Sequence, residues 1–330
     1  MDTSFFSGTQ TFENFKPVIE QLVREVIQKS LPKTYELDPI PATLLSENLD
    51  VLLPTTINIM NHSLTTGTLP PDFKTAVVKP LLNKPSLDPN ALSNYRPISN
   101  LPFLSTRLEK IVLRHLFAHI DTHNLLSVHQ STFREGHGTE TALLNIVNPI
   151  LCALDENKIS VLLLLDLSAA FDTTDQEILL SHLDSYLGIH STALSRFRSN
   201  ISERKHTVMV QDNQSSTAQL DFGVPQGSKL GTVLFILYTT RLSLIIDKLS
   251  VNHEMSTDDT KLCKSVPHRV EMWLSWYSIR SACCRHRFDS PVRQEIFLLA
   301  STFGADSLTV SVKPRVQSHA FIYVCMLKIP

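Results

Sequence analysis

The chain is poor in cysteine, has no long unbroken apolar run and carries no surplus of positive charge. Its five cysteines, Cys152, Cys263, Cys283, Cys284 and Cys325, are odd in number and include no Cys-x-x-C pair among 330 residues. That excludes a framework of paired disulfides and points to free thiols in a reducing compartment. Cys283-Cys284-Arg285-His286 is a poor zinc site, because adjacent cysteines rarely serve one tetrahedral ion and no second ligand pair lies nearby. The apolar run at residues 161–165 has the length of a strand, whereas a membrane-spanning helix needs about 20 apolar residues. Met1-Asp2-Thr3-Ser4 lacks the basic-then-apolar start of a secretory signal, and Asp2 excludes N-myristoylation. The expectation is an intracellular chain (cytoplasm, nucleus or both) with no membrane partner. Asn61-His62-Ser63, Asn200-Ile201-Ser202 and Asn213-Gln214-Ser215 are sequons without meaning in such a compartment. Neither an internal repeat nor a low-complexity tract is present.

What the chain does have is the composition of a globular protein, with 42% hydrophobic and 19% charged residues. Its length allows a substantial core and two or three subdomains. The net charge of −2 supplies no overall attraction for phosphates, so any such attraction has to be local. Residues 1–60 are acidic on balance. Residues 64–115 set Lys74, Lys79, Lys84, Arg96, Arg107, Lys110 and Arg114 against Asp72, Asp88 and Glu109. Any one of these lysines is expected on an ordinary solvated face, but the segment as a whole is favoured as phosphate-facing.

Apolar spacing over residues 11–30 predicts an amphipathic helix ended by Leu31-Pro32, and a second helix is expected over 42–64, broken by Thr65-Thr66-Gly67. Residues 76–78 and 81–82 are short strand candidates around Lys79-Pro80, and 104–120 is helical. Residues 160–167 are too short for a helix and apolar on both faces, which predicts a central buried strand. Helices follow at 175–186 and 193–201, then a strand pair at 206–211 and 218–222, a helix at 230–249, and a hairpin of 251–255 with 260–264. This order fits the start of a ferredoxin-like antiparallel sheet with helices, hence an α+β fold.

Two acidic signatures carry the chemistry. Asp166 ends the apolar strand, and Asp258-Asp259 sit at the turn of the last hairpin. A carboxylate at a strand end facing an aspartate pair on a turn can hold two Mg²⁺ ions, as in-line phosphoryl or nucleotidyl transfer requires. Between them lies Gly223-Val224-Pro225-Gln226-Gly227, which combines close backbone approach with an amide side chain. Each aspartate alone is as readily a cap or turn residue.

The stretch Leu165-Asp166-Leu167-Ser168-Ala169-Ala170-Phe171-Asp172, the loop at 223–227 and Asp258-Asp259 resemble, in order, the motifs of reverse transcriptases. Asn94-Tyr95-Arg96-Pro97-Ile98-Ser99-Asn100-Leu101-Pro102 and His129-Gln130-Ser131-Thr132-Phe133-Arg134 narrow the resemblance to non-LTR (LINE-type) retrotransposons of animals. The similarity runs over about residues 30–312. It implies a right-hand polymerase palm with helical fingers and a truncated thumb: a helical N-terminal extension at 1–65, fingers at 66–158, a palm with inserted finger helices at 159–312 and a vestigial thumb remnant at 313–330. The implied activity is RNA-directed DNA polymerisation, with RNA template, DNA primer, deoxynucleoside triphosphates and two Mg²⁺ ions, Mn²⁺ being an alternative.

Residue by residue, the resemblance makes Asp166, Asp258 and Asp259 the catalytic metal ligands, with the Leu167 backbone completing the set. It makes Phe171 the ring beneath the incoming sugar, where it would exclude a ribose 2′-hydroxyl; the alternative is a core phenylalanine. Gln226 and Gly227 would contact nucleotide and template, while Lys84 and Arg96 would hold the triphosphate, Arg through its planar fork. Lys84 is equally readable as a surface lysine. Arg293, within Phe288-Asp289-Ser290-Pro291-Val292-Arg293-Gln294, stands where a lysine is usual. The chain also departs from the family pattern at Ser256 and Thr257 (an aromatic and alanine), Lys229 (a small apolar residue), Thr232 (proline) and Thr132 (glycine). These departures, an expected absence of the preceding endonuclease and an end before a full thumb suit a decayed copy. A catalytically silent relic that at most binds nucleic acid is therefore the alternative. A metal-dependent phosphohydrolase is disfavoured, because no water-activating base is visible.

Overall fold

The computed structural model describes residues 11–29, 37–156, 158–167, 170–257, 259–267, 309–310 and 320–327. Contacts divide the chain into two units, one of residues 1–125 with 171–238 and one of 126–170 with 239–330. The class is α+β, as expected.

In the first unit, helix α1 (Glu20–Gln28) is shorter than the apolar spacing predicts. Phe12 is instead bridged to Ile189, its N–H donating to the Gly188 carbonyl at 2.9 Å while the His190 N–H donates to the Phe12 carbonyl at 3.0 Å. Extended pairing there displaces a helix whose continuation Pro17 would in any case disrupt. The helix expected at 42–64 is two, α2 (Ala42–Glu47) and α3 (Leu49–Thr66), and it does end at Gly67, which caps α3 with φ 68°. The two strand candidates around Lys79-Pro80 are one strand, β1 (Thr75–Leu82). Pro80 is tolerated because β1 has a partner on its second side only over 75–78. Strand β2 (Tyr95–Asn100) lies antiparallel to β1, and helix α4 (Phe103–Thr122) follows. The side chain of Asp38 accepts the Phe103 N–H at 2.7 Å, capping α4 from a distant turn.

Helices α6 (Gln176–Ser185) and α7 (Ser191–Ile201) fall where the periodicity predicts. Strand β4 (Arg204–Val210) runs parallel to β1 and antiparallel to β5 (Asn213–Gln214) and β6 (Ala218–Leu220). The predicted strand pair therefore forms, but it extends the β1–β2 sheet rather than the sheet that contains residue 166.

The second unit holds helix α5 (Thr139–Asp155), which the sequence analysis missed, and an antiparallel sheet of order β7-β8-β3-β10-β9. Strand β3 (Lys158–Leu167) is central, as predicted, between β8 (Asp259–Pro267) and β10 (Ala320–Leu327). Strand β7 (Asn252–Met255) pairs with β8 in the expected hairpin, and β9 (Thr309–Val310) flanks β10. Leu163, Ile246, Val251 and Leu262 pack on one side of this sheet, and Ile146, Ile150 and Cys263 form a second cluster. Cys152 and Cys263 are free thiols, as expected. The Cys283-Cys284-Arg285-His286 cluster and Arg293 lie outside the described residues.

Helix α8 (Lys229–Asp247) begins in the first unit and ends in the second. It corrects one expectation, since among the described residues it alone is long and apolar enough to cross a membrane, by length and composition. Thr, Ser, Tyr and Gly interrupt its apolar run, which hid it from a search for unbroken runs. Most of that span is buried in the protein, as in a core helix.

Candidate active site

The acidic strand and the acidic turn meet in the second unit. The ladder between β3 and β8 sets Asp166 directly opposite Asp259, at the end where the β7–β8 hairpin turns. The turn is closed by Ser256 N–H donating to the Asp259 carbonyl at 2.8 Å. Asp258 lies outside the described residues. Leu167, the last residue of β3, is paired across the other ladder with Ala320. Directly opposed positions of an antiparallel pair are cross-strand neighbours, so the register brings two acidic positions together, and carboxylates are oxygen donors of the sort Mg²⁺ takes. By residue type, these two positions suit the ion that the resemblance implies.

The base of this hairpin is tied to the segment before α5. Met255 N–H donates to the His129 carbonyl at 2.8 Å, and Ser131 N–H to the Met255 carbonyl at 3.0 Å. Two of the departures from the family pattern touch each other here: the hydroxyls of Thr132 and Ser256 are 3.0 Å apart in a hydrogen bond. A glycine and an aromatic residue could not make that bond.

In the first unit two sequence motifs converge on the Gly-Val-Pro-Gln-Gly loop. Gly223 has φ 81°, and its N–H donates to the Thr174 carbonyl at 2.9 Å while Val224 N–H donates to that of Phe171 at 2.8 Å. A Cβ on Gly223 would stand 2.5 Å from the Phe171 carbonyl oxygen, so only glycine fits. At the other end Ser99 N–H donates to the Gln226 carbonyl at 2.7 Å. Gly227, at φ 122°, would likewise drive a Cβ to 2.5 Å from the Ser99 carbonyl oxygen. The loop is thus wedged between the segment after the acidic strand and strand β2. Phe171 is half-buried, its ring 5.2 Å from that of buried Phe235.

Arg96 and Lys84 are both exposed at the end of the β1–β2 pair where residues 83–94 connect the two strands. Arg96 donates from Nε to Asn83 Oδ1 at 2.9 Å, which fixes the root of its fork beside Lys84. Lys229 is exposed, so its charge is hydrated and the helix start carries no burial penalty for it.

Sequence reasoning missed the anchor under this loop. Glu109 of α4 is 1% exposed; it accepts from the Ser228 hydroxyl at 2.8 Å, and Arg204 lies 3.9 Å away. Burial pushes the Glu109 carboxyl up, against the pull of Arg204, Ser228 and the Leu230 N–H. Burial also lowers Arg204, and takes Arg196 down to about 10 despite the attraction of Glu109. Ser228 in turn accepts from Gly231 N–H at 2.8 Å, capping α8. The one signal for this network was an acid at an apolar-phase position of α4, between Leu108 and Ile111.

Comparison with known proteins fits this geometry. Residues 82–275, more than half of the chain, match the family of reverse transcriptases (RNA-dependent DNA polymerases). The chain is 31% identical over 227 residues to an RNA-directed DNA polymerase from the mobile element jockey of Drosophila funebris, covering 68% of this chain and 24% of that protein. It is 28% identical over 234 residues to a probable RNA-directed DNA polymerase from transposon BS of Drosophila melanogaster, covering 69% and 25%. It thus spans about a quarter of the length of these relatives. A structure of apo telomerase from Candida tropicalis, truncated from its C-terminal domain, aligns over 65% of this chain and 47% of its own at 12% identity, with a TM-score of 0.45, too low to bear on the fold. The family match and the motifs together make this chain a member of the reverse transcriptase family, of the non-LTR retrotransposon type.

Proposed function

We propose that the chain is the nucleotidyl-transfer core of an RNA-directed DNA polymerase, extending a DNA primer on an RNA template with deoxynucleoside triphosphates. The observation that carries the proposal is the register of Asp166 opposite Asp259 at the closed turn of the β7–β8 hairpin. In this reading Asp166, Asp258 and Asp259, with the Leu167 carbonyl, hold two Mg²⁺ ions. Bound there, the ions would lower the barrier to attack of a primer 3′-hydroxyl on an α-phosphate. The chain's own residues orient the partners. Phe171 walls the sugar, Gln226 and Gly227 contact the nascent pair, and Arg96 with Lys84 neutralise the triphosphate. The 1–65, 66–158 and 159–312 segments would serve as extension, fingers and palm, with 313–330 after them.

Primer extension on an RNA template by the purified chain tests this, with Asp258→Ala beside it. The expected result is Mg²⁺-dependent extension that falls by about 10²-fold or more in the variant. Template binding without any extension would establish the silent relic instead, the reading that Ser256 and Thr257 favour. Where extension is measured, Phe171→Ala should raise ribonucleotide incorporation relative to deoxyribonucleotide incorporation. Unchanged discrimination would leave Phe171 as a packing partner of Phe235 only.

A further inference from the structure

We propose that His129, Asp247 and His253 form a binding site for a transition-metal ion of the zinc type, separate from the aspartate set. Their ligand atoms all lie within 4.8 Å of one another. His129 Nε2 is 3.4 Å from Asp247 Oδ1, and His253 Nδ1 is 3.8 Å from the same oxygen. A tetrahedral zinc ion with bonds of about 2.1 Å places its ligands roughly 3.4 Å apart. The two histidine–aspartate separations are within a few tenths of an ångström of that value. The ligands come from three places that the fold brings together: the segment before α5, the last turn of α8 and strand β7.

The surroundings are those of a ligand set. His253 is 3% exposed, and its Nε2 lies 2.7 Å from the Ser243 hydroxyl, itself 2.6 Å from that of Ser127. With Nε2–H donated to Ser243, Nδ1 presents a lone pair toward Asp247 and His129. Metal-bound histidines are oriented in this way by a partner on the far nitrogen. In the other tautomer Nδ1–H donates to the Val251 carbonyl, 3.3 Å away, so the ring has a satisfied state without metal as well. The side chains of His129 and Asp247 are 34% and 47% exposed, which leaves an entry path and a fourth position for water.

Two imidazoles and one carboxylate suit zinc, cobalt, nickel or copper, and not magnesium. Occupied, the site would clamp the segment at 126–131 to the hairpin whose turn carries Asp259, adding to the backbone bonds at Met255.

The test uses the whole chain, stripped with a chelator and titrated with Co²⁺, then displaced with Zn²⁺. One equivalent should bind, giving the visible bands of nitrogen and oxygen ligation, and Zn²⁺ should raise the unfolding midpoint. His129→Ala and Asp247→Asn, both at accessible positions, should each weaken binding at least about tenfold, and Ser243→Ala by about 10–100-fold. Asp166→Asn should leave stoichiometry and spectrum unchanged. The proposal falls if no equivalent binds, or if the two accessible-site variants bind as the parent does. It falls equally if Asp166→Asn abolishes binding, or if thiolate charge-transfer bands put the ion on cysteine. None of these readouts requires polymerase activity.

Discussion

In the first unit the Gly-Val-Pro-Gln-Gly loop is wedged by two glycines that have no room for a Cβ, bonded through its backbone to residues on both sides and underpinned by the buried Glu109. In the second unit the backbone at Asp166 and Asp259 is placed by a strand ladder and one turn-closing hydrogen bond. Wedged loops tolerate few substitutions, because each contact is made by a group with no substitute. A ladder tolerates many, because its hydrogen bonds come from the backbone of any residue. This difference explains why the departures nearest the aspartates, Ser256 and Thr257, fall in the second unit without disturbing its register. The Gly-Val-Pro-Gln-Gly loop of the first unit itself stands unaltered, and the departures of that unit, Lys229 and Thr232, fall in the helix after it.

The largest expected effect breaks the first unit at its anchor. Glu109→Ala would leave Arg204 and Arg196 buried without their acid, and it should lower stability by about 3–5 kcal/mol in urea unfolding. A loss under about 1 kcal/mol would show that the guanidinium groups find other partners or water. Next, Gly223→Ala should cost about 1–3 kcal/mol from positive φ and the contact with the Phe171 carbonyl. A comparable substitution on the second unit's turn, Thr257→Ala, should cost under about 0.5 kcal/mol. Equal costs would erase the contrast between wedge and ladder.

A pH titration sharpens the comparison from another side. Burial lowers His115 and His119 of α4 below the ordinary value, for His119 against a hydrogen bond with the Leu187 carbonyl. Both rings are therefore neutral in the folded unit where the unfolded chain would take up protons. Stability from this source is complete above about pH 6.5 and declines as pH falls below it, toward the lower folded values. The unfolding midpoint should drop between pH 7 and pH 5, with hydrogen exchange placing the loss in α4. A midpoint that holds flat would mean that both rings accept protons in place.

Most of what the sequence disclosed was backbone. An apolar run with residues on both faces could only be a central strand, and the hairpin followed from two short runs around Asp258-Asp259. The helix over residues 11–19 failed because spacing cannot see the pairing of Phe12 with Ile189, a long-range contact that overrides local preference. Helix α5 was missed behind Pro149, which it contains. The candidate residues were legible as motifs, but not the supports beneath them. Glu109, Arg196 and Arg204 are distant in sequence and ordinary in type, and only burial reveals them. His129, Asp247 and His253 share no spacing rule for the same reason.

The smallest expected effect concerns Thr132 and Ser256, whose hydroxyls bond to each other. Restoring the family pattern with Ser256→Tyr and Thr257→Ala alone removes one partner of this pair and sets a bulky ring against Thr132. That version should lose about 0.5–1.5 kcal/mol, the net worth of one hydrogen bond, and gain little in extension rate. Adding Thr132→Gly clears the space and restores the third position. The triple variant should therefore exceed both the parent and the double variant in primer extension. Its affinity for an RNA–DNA duplex should be unchanged and should fall with added salt as the parent's does, if phosphate contacts come from the exposed lysines and arginines of the basic segment at 64–115, as proposed. Extension rates and binding constants at matched salt, for all three versions, decide it. If the double variant already matches the triple, the Thr132–Ser256 bond is incidental, and the two departures arose independently.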